Sequence, residues 1–130
     1  MIFYCDASFP LPVAQALSTV RGDVTYPGHP ECPIADPGTA DEIWLPIAGN
    51  GNWVVLLRDK RIRSRPGERA ALVRHRLRAF CLTTSGNATR WEILTLVVRQ
   101  WPAIERTAEA EPGPYIYAVT SDGLRRIALS

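Results

Sequence analysis

Two hydrophobic rhythms share this chain of 130 residues. Residues 2–5, 53–57 and 78–83 are short, mostly apolar runs, the pattern of strands buried on both faces. Between and after them, apolar residues return at three- and four-residue intervals, the rhythm of amphipathic helices. Val13, Ala14, Ala16, Leu17 and Val20 predict a first helix. It is entered through Pro10 and Pro12, where proline is tolerated, and closed by Gly22. Asp23 to Tyr26 reads as a short second strand.

Pro27 to Gly38 then carries four prolines and two glycines, with His29 and Cys32 among them. In a compact domain a loop of that length either lies over a site or is mobile. Thr39 followed by Glu42 has the spacing of a capping box, so a second helix is expected over residues 40–48, with Ile43, Trp44, Ile47 and Ala48 apolar. Pro46 is expected to kink or shorten it. Gly49 to Asn52 breaks the chain before the central strand, Trp53 to Leu57.

Pro66 opens a third helix that ends near His75. Asn87 or Thr89 is the expected N-cap of the longest helix, whose apolar positions are Ile93, Leu94, Leu96, Val97, Val98, Trp101 and Ile104. Pro102 is expected to kink or break it. Tyr115 to Val119 and Leu124 to Ala128 flank a Ser-Asp-Gly turn and read as a hairpin. Strands alternating with helices predict an α/β fold with helices on both faces of a mainly parallel sheet, closed by a C-terminal antiparallel hairpin. Residues 1–130 are expected to form a single domain.

Composition changes this picture little, but charge placement changes it more. The formal net charge of +2 is too small to indicate nucleic acid. Yet residues 58–78 hold nine Lys or Arg against two acids, Asp59 and Glu68. Such a block suits a phosphate backbone and equally describes a solvated helix face. Cys5, Cys32 and Cys81 are odd in number, and no CxxC motif occurs, which argues against a zinc cage. Cys5 and Cys81 lie in apolar runs and read as small core residues. No signal peptide and no apolar stretch of membrane length is seen, so a cytoplasmic location without membrane contact is expected.

Three carboxylates stand out by position. Asp6 follows the first strand, Asp59 follows the central strand, and Asp41 lies in the first turn of the second helix. Ligands of open α/β sheets bind beyond the carboxyl ends of the strands. Clustered carboxylates repel one another unless a cation is present, and a hard ion such as Mg²⁺ or Mn²⁺ removes the conflict. Such an ion can activate water for phosphodiester hydrolysis. Lys60 and Arg61, with Arg58, would hold the anionic backbone at the rim. The plainer readings are that Asp41 complements a helix dipole and that Asp6 caps the following segment. Asp36 reads as a turn residue that loop folding can bring near Asp41. His29 and His75 have no partner at ligand spacing, and Cys81 has no nearby base. No GxGxxG or Walker loop is present.

The stretches FYCDASFPLPVAQAL and ADEIWLPIAGNGNWVVLLRDKRI resemble the PIN-like domains, in particular the VapC45-like branch of toxin nucleases. RPGERAALVRHRLRAFCL and EPGPYIYAVT match more loosely. The resemblance implies a PIN-like α/β/α fold, a Mg²⁺- or Mn²⁺-dependent ribonuclease, and a neighbouring antitoxin that holds it inactive. It aligns Asp6, Asp41 and Asp59 with the family's acidic site, and Glu42 assists or replaces Asp41. The chain departs from the pattern where Leu57 stands two positions before Asp59, a place commonly held by a polar residue such as Thr. After Thr83 it offers only Thr84, Ser85 and Asn87 in place of a fourth acid.

Two other functions compete. One is a degenerate PIN-like module that binds RNA or a protein without cutting. The other is a receiver-like signalling domain, against which Cys5-Asp6 lacks an acid pair and no lysine follows Lys60. An antitoxin would use the apolar edge of the long helix near Trp91 to Trp101 or the Pro27–Gly38 loop, and a homodimer is compatible with the same surfaces.

Overall fold

A computed structural model of the chain describes residues 1–58 and 66–129. Six strands form one sheet: β1 (Phe3–Cys5), β2 (Val24–Thr25), β3 (Val54–Leu57), β4 (Arg78–Leu82), β5 (Tyr115–Thr120) and β6 (Gly123–Ile127). Their order is β2-β1-β3-β4-β5-β6. All neighbours are parallel except β5 and β6, which pair antiparallel. Among the described residues the helices are α1 (Leu11–Val20), α2 (Asp41–Asn50), α3 (Pro66–Arg74) and α4 (Arg90–Ala110).

The two-residue period of each strand divides the core into two layers. Phe3, Cys5, Val54, Leu56, Phe80 and Leu82 point to one face, where α1 and α4 supply Val13, Leu17, Ile93, Val97 and Trp101. Tyr4, Val55, Leu57, Ala79 and Cys81 point to the other, against Trp44, Leu45 and Ala48 of α2 and Leu72 of α3. Every residue of β3 is fully buried, as its unbroken apolar run requires.

One local expectation needs correction, and two are narrowed. Thr39 and Glu42 do not form a capping box. The N-cap of α2 is Ala40, which caps without a side chain, and the Thr39 hydroxyl instead donates to the Asp36 carbonyl at 2.6 Å. The capping box lies at Thr89 and Glu92, where both reciprocal bonds are made. Neither Pro46 nor Pro102 ends its helix. Each removes one backbone bond, and the carbonyls so freed belong to the exposed residues Glu42 and Val98. The buried flanking residues Trp44, Leu45 and Ala48, and Trp101 and Ile104, hold the two helices in place.

At the far end of the sheet, buried Arg78 braces two connections. Its Nη1 donates to the Ala108 carbonyl at 2.7 Å, and Nη2 donates to the Asn52 carbonyl. Arg21 joins α1 to α4 on the outer face. It pairs with Asp23 and Glu105 at 2.8 and 2.9 Å and lies over the Trp101 ring.

Candidate active site

The strand order reverses between β1 and β3, because β2 lies on one side of β1 and β4 on the far side of β3. In doubly wound sheets such a switch point leaves a crevice outside the carboxyl ends of the strands. Asp6 stands there. Its backbone N–H still donates to the Leu56 carbonyl at 3.1 Å, so the extended register of β1 reaches it. The period of two then turns Asp6 toward the same face as Tyr4.

That face is covered by α2. The Trp44 ring packs on Tyr4 with centroids 5.4 Å apart. Asp41 is one helical turn earlier, so it shares the side of α2 that Trp44 turns inward. The Trp44 indole Nε1 donates to Asp41 Oδ1 at 2.9 Å, which fixes the carboxylate. Ile34 is buried in the same layer and anchors the proline-rich loop. The loop then carries Asp36 to Thr39 across the opening.

The result is a cleft of about 320 Å³ lined by Tyr4, Asp6, Ser8, Asp36, Asp41 and Trp44, among others. Asp6 and Asp41 therefore face one space. Asp36 joins them, although its Oδ1 also accepts the Gly38 N–H at 2.8 Å as in an ordinary Asx turn. Glu42 faces elsewhere. It lines a neighbouring cleft of about 450 Å³ between α2 and α3, with Glu68, Arg74 and His75, and Asp41 borders both spaces. Asp59, Lys60 and Arg61 lie outside the described residues. Among the described residues, no group of three or more His, Cys, Asp or Glu is close enough to hold a metal ion.

Ser8 is a site residue that acid spacing did not single out. Its hydroxyl donates to Asp6 Oδ1 at 2.5 Å, and its N–H donates to the same oxygen at 3.0 Å. The Ser8 hydroxyl also accepts the Arg58 N–H at 3.0 Å, which ties the loop after β1 to the end of β3. The available signal was a hydroxyl two residues after an acid, a spacing that closes local turns. The Arg58 side chain runs the other way, with Nε donating to Thr84 Oγ1 at 2.7 Å and Nη2 to the Ser85 carbonyl at 2.5 Å.

Electrostatics separates the groups. Burial pushes the Tyr4 phenol well above its ordinary range, and the Asp6 carboxylate pushes it further. Tyr4 thus stays protonated at the cleft floor. Burial likewise pushes the Cys5 thiol up, which removes it as a nucleophile. Leu57 is fully buried against the α2 and α3 layer, so it packs and holds no water.

The fold and cleft define a doubly wound α/β domain with an acidic crevice at its switch point, a class that includes both receiver-like and nuclease-type folds. The family model for the PIN like domain matches residues 1–84, from β1 to just beyond β4. The chain belongs to the PIN-like domain family, and its fold is of the nuclease type. No curated protein and no solved structure gives a match. No helix among the described residues is long and apolar enough to cross a membrane.

Proposed function

We propose that this chain is a metal-dependent endoribonuclease, the toxin of a toxin–antitoxin pair of the VapC45-like kind, with residues 1–130 acting as one PIN-like unit. The observation that carries the reading is that Asp6 and Asp41, distant in sequence, line one cleft at the switch point of a nuclease-type fold. The proposed acidic site is Asp6, Asp41 and Asp59, with Glu42 at its margin and Arg58, Lys60 and Arg61 as the phosphate-binding side.

The donor chemistry fits Mg²⁺ or Mn²⁺, which take hard oxygen ligands, need only one or a few carboxylates and keep several waters. Asp6 and Asp41 would hold the ion together with Asp59. When bound, such an ion generates a nucleophilic water and offsets charge on the phosphodiester. The chain's own residues do the rest. Ser8 and Trp44 fix the orientation of Asp6 and Asp41, and Tyr4 keeps a neutral O–H at the cleft floor. The cognate antitoxin would bind apolar surface on α4, where Trp91 and Val98 are exposed.

Buried Leu57 and the polar, uncharged residues after β4 favour a second reading, a PIN-like module that binds RNA or a protein without cutting. One experiment separates them. The purified protein is incubated with total RNA and with transfer RNA in Mn²⁺, Mg²⁺ or chelator, beside Asp6→Asn, Asp41→Asn and Asp59→Asn. The nuclease reading expects metal-dependent cleavage that all three folded variants lose. Metal-independent RNA binding without cleavage supports the second reading.

A further inference from the structure

We propose that Arg58 is a pre-set seat for an RNA phosphate, held beside the acidic cleft by Thr84 and Ser85, so that the RNA backbone runs from the cleft toward the loop between β4 and α4. The inference rests on the reading of this chain as an RNA-binding nuclease or module. It adds the direction of the RNA track and two positioning residues, Thr84 and Ser85.

The geometry begins with the strand order. β1, β3 and β4 are adjacent and parallel, so Asp6, Arg58 and Thr84 all leave the same edge of the sheet. The Arg58 main chain is bound on the β1 side through Ser8, which also donates to Asp6. Its guanidinium is bound on the β4 side, by Thr84 Oγ1 at 2.7 Å and the Ser85 carbonyl at 2.5 Å. Arg58 therefore spans three strand ends, and its position is coupled to the first acid by a single hydroxyl.

Both acceptors are neutral. Among the described residues no carboxylate pairs with Arg58, whereas Arg21 meets two and Arg126 one. Among the described residues two of the five guanidinium N–H groups are used, which leaves three to meet an anion. A planar fork fixed by neutral oxygens keeps its whole charge and loses little conformational freedom when phosphate arrives. Arg78 also bonds only to neutral acceptors, two carbonyls and the Met1 sulfur, but it is buried at the opposite end of the sheet, out of reach of a ligand at the cleft. Arg58 is partly exposed, and its N–H meets Ser8, which lines the crevice.

The test measures binding of a fluorescent single-stranded RNA by anisotropy, in chelator, across a range of KCl concentrations. Arg58→Gln is expected to weaken binding about tenfold, the loss of one charge-assisted contact. It should also reduce the slope of log affinity against log salt by about 0.7, the value for one phosphate on a single strand. Thr84→Val keeps the charge but frees the fork, so affinity falls while the slope stays. Arg58→Lys keeps the slope and restores only part of the affinity. An unchanged affinity and slope in Arg58→Gln overturns the proposal, as does a wild-type chain that binds no RNA. If Arg58→Gln fails to fold, as read by circular dichroism, an Arg58→Lys or Thr84→Val that binds like wild type overturns it. A parallel Mn²⁺ incubation reads the nuclease function separately. Absent cleavage with an intact Arg58 slope effect fails only the nuclease reading, and cleavage without that effect fails only the seat.

Discussion

The Ser8 hydroxyl donates to Asp6 Oδ1 at 2.5 Å while accepting the backbone N–H of Arg58. One side chain thus joins the loop after β1 to the end of β3, across the point where the sheet reverses its order. Ser8→Ala is expected to cost about 2 kcal/mol, because it takes one hydrogen bond from the Asp6 carboxylate and the side-chain acceptor from the Arg58 N–H. Urea unfolding measures it, and Ser8→Thr, which keeps the hydroxyl, should lose less. RNA cleavage should fall further in the alanine variant than in the threonine variant.

Trp44 serves both the core and the site. Its ring packs on Tyr4 and its Nε1 holds Asp41. Trp44→Phe retains an aromatic face and loses the bond, for an expected cost of about 2 kcal/mol with the smaller ring included. Calorimetric titration with Mn²⁺ should show weaker binding than wild type. Equal affinity would show that Asp41 needs no such support.

Gly49 lies where α2 meets the turn before β4. A Cβ built there would stand 2.5 Å from the His75 carbonyl oxygen, closer than real Cβ contacts allow. Gly49→Ala is therefore expected to destabilise the protein by about 1–3 kcal/mol through overpacking, despite the better helix propensity of alanine. A rise in melting temperature would refute the contact.

The two candidate caps give opposite expectations. Thr89→Ala should cost about 1 kcal/mol, since it removes a side chain that accepts the Glu92 N–H at 3.1 Å. Thr39→Ala should leave α2 intact, because Ala40 begins that helix without side-chain capping. Thermal unfolding of the two variants side by side decides the matter.

Acid stability carries a signed prediction. The Arg21 hydrogen bond, and then its charge, hold the Asp23 carboxyl below its ordinary value of 3.8, against some opposing burial. A carboxyl depressed in the folded state stabilises above its unfolded value, and that contribution is lost as pH falls through the folded one. Asp23→Asn should therefore be less stable than wild type at pH 7, with the gap closing as pH drops below about 4. Because both partners are about one-third exposed, the gap should also shrink in high salt.

The order of elements and the class of fold were legible in the sequence because their signals are local. The run Val54 to Leu57 has no polar position, and its shortness and β-branched start mark a strand buried on both faces. Phe3 to Cys5, Arg78 to Leu82 and the closing hairpin follow from the same period and from turn chemistry. Asp6 and Asp41 drew notice for a local reason too, an acid at a strand end and an acid in a first helical turn. That they face one cleft depends on which face of β1 the helix α2 covers.

The remaining features depend on contacts between segments distant in the chain. Thr39 and Thr89 have the same capping-box spacing, and only the path of the proline-rich loop decides that Thr39 turns back to Asp36. Glu42 follows Asp41 directly, yet the helical turn of about 100° per residue sends it into the neighbouring cleft. Asp36 enters the acidic cleft because Ile34 is buried against α2. Arg58 reaches Thr84 because β3 and β4 are neighbours. Hydrophobic period and turn residues thus determined the elements by themselves. Strand order and the burial of loop anchors, which sum interactions over the whole chain, decided which charges meet.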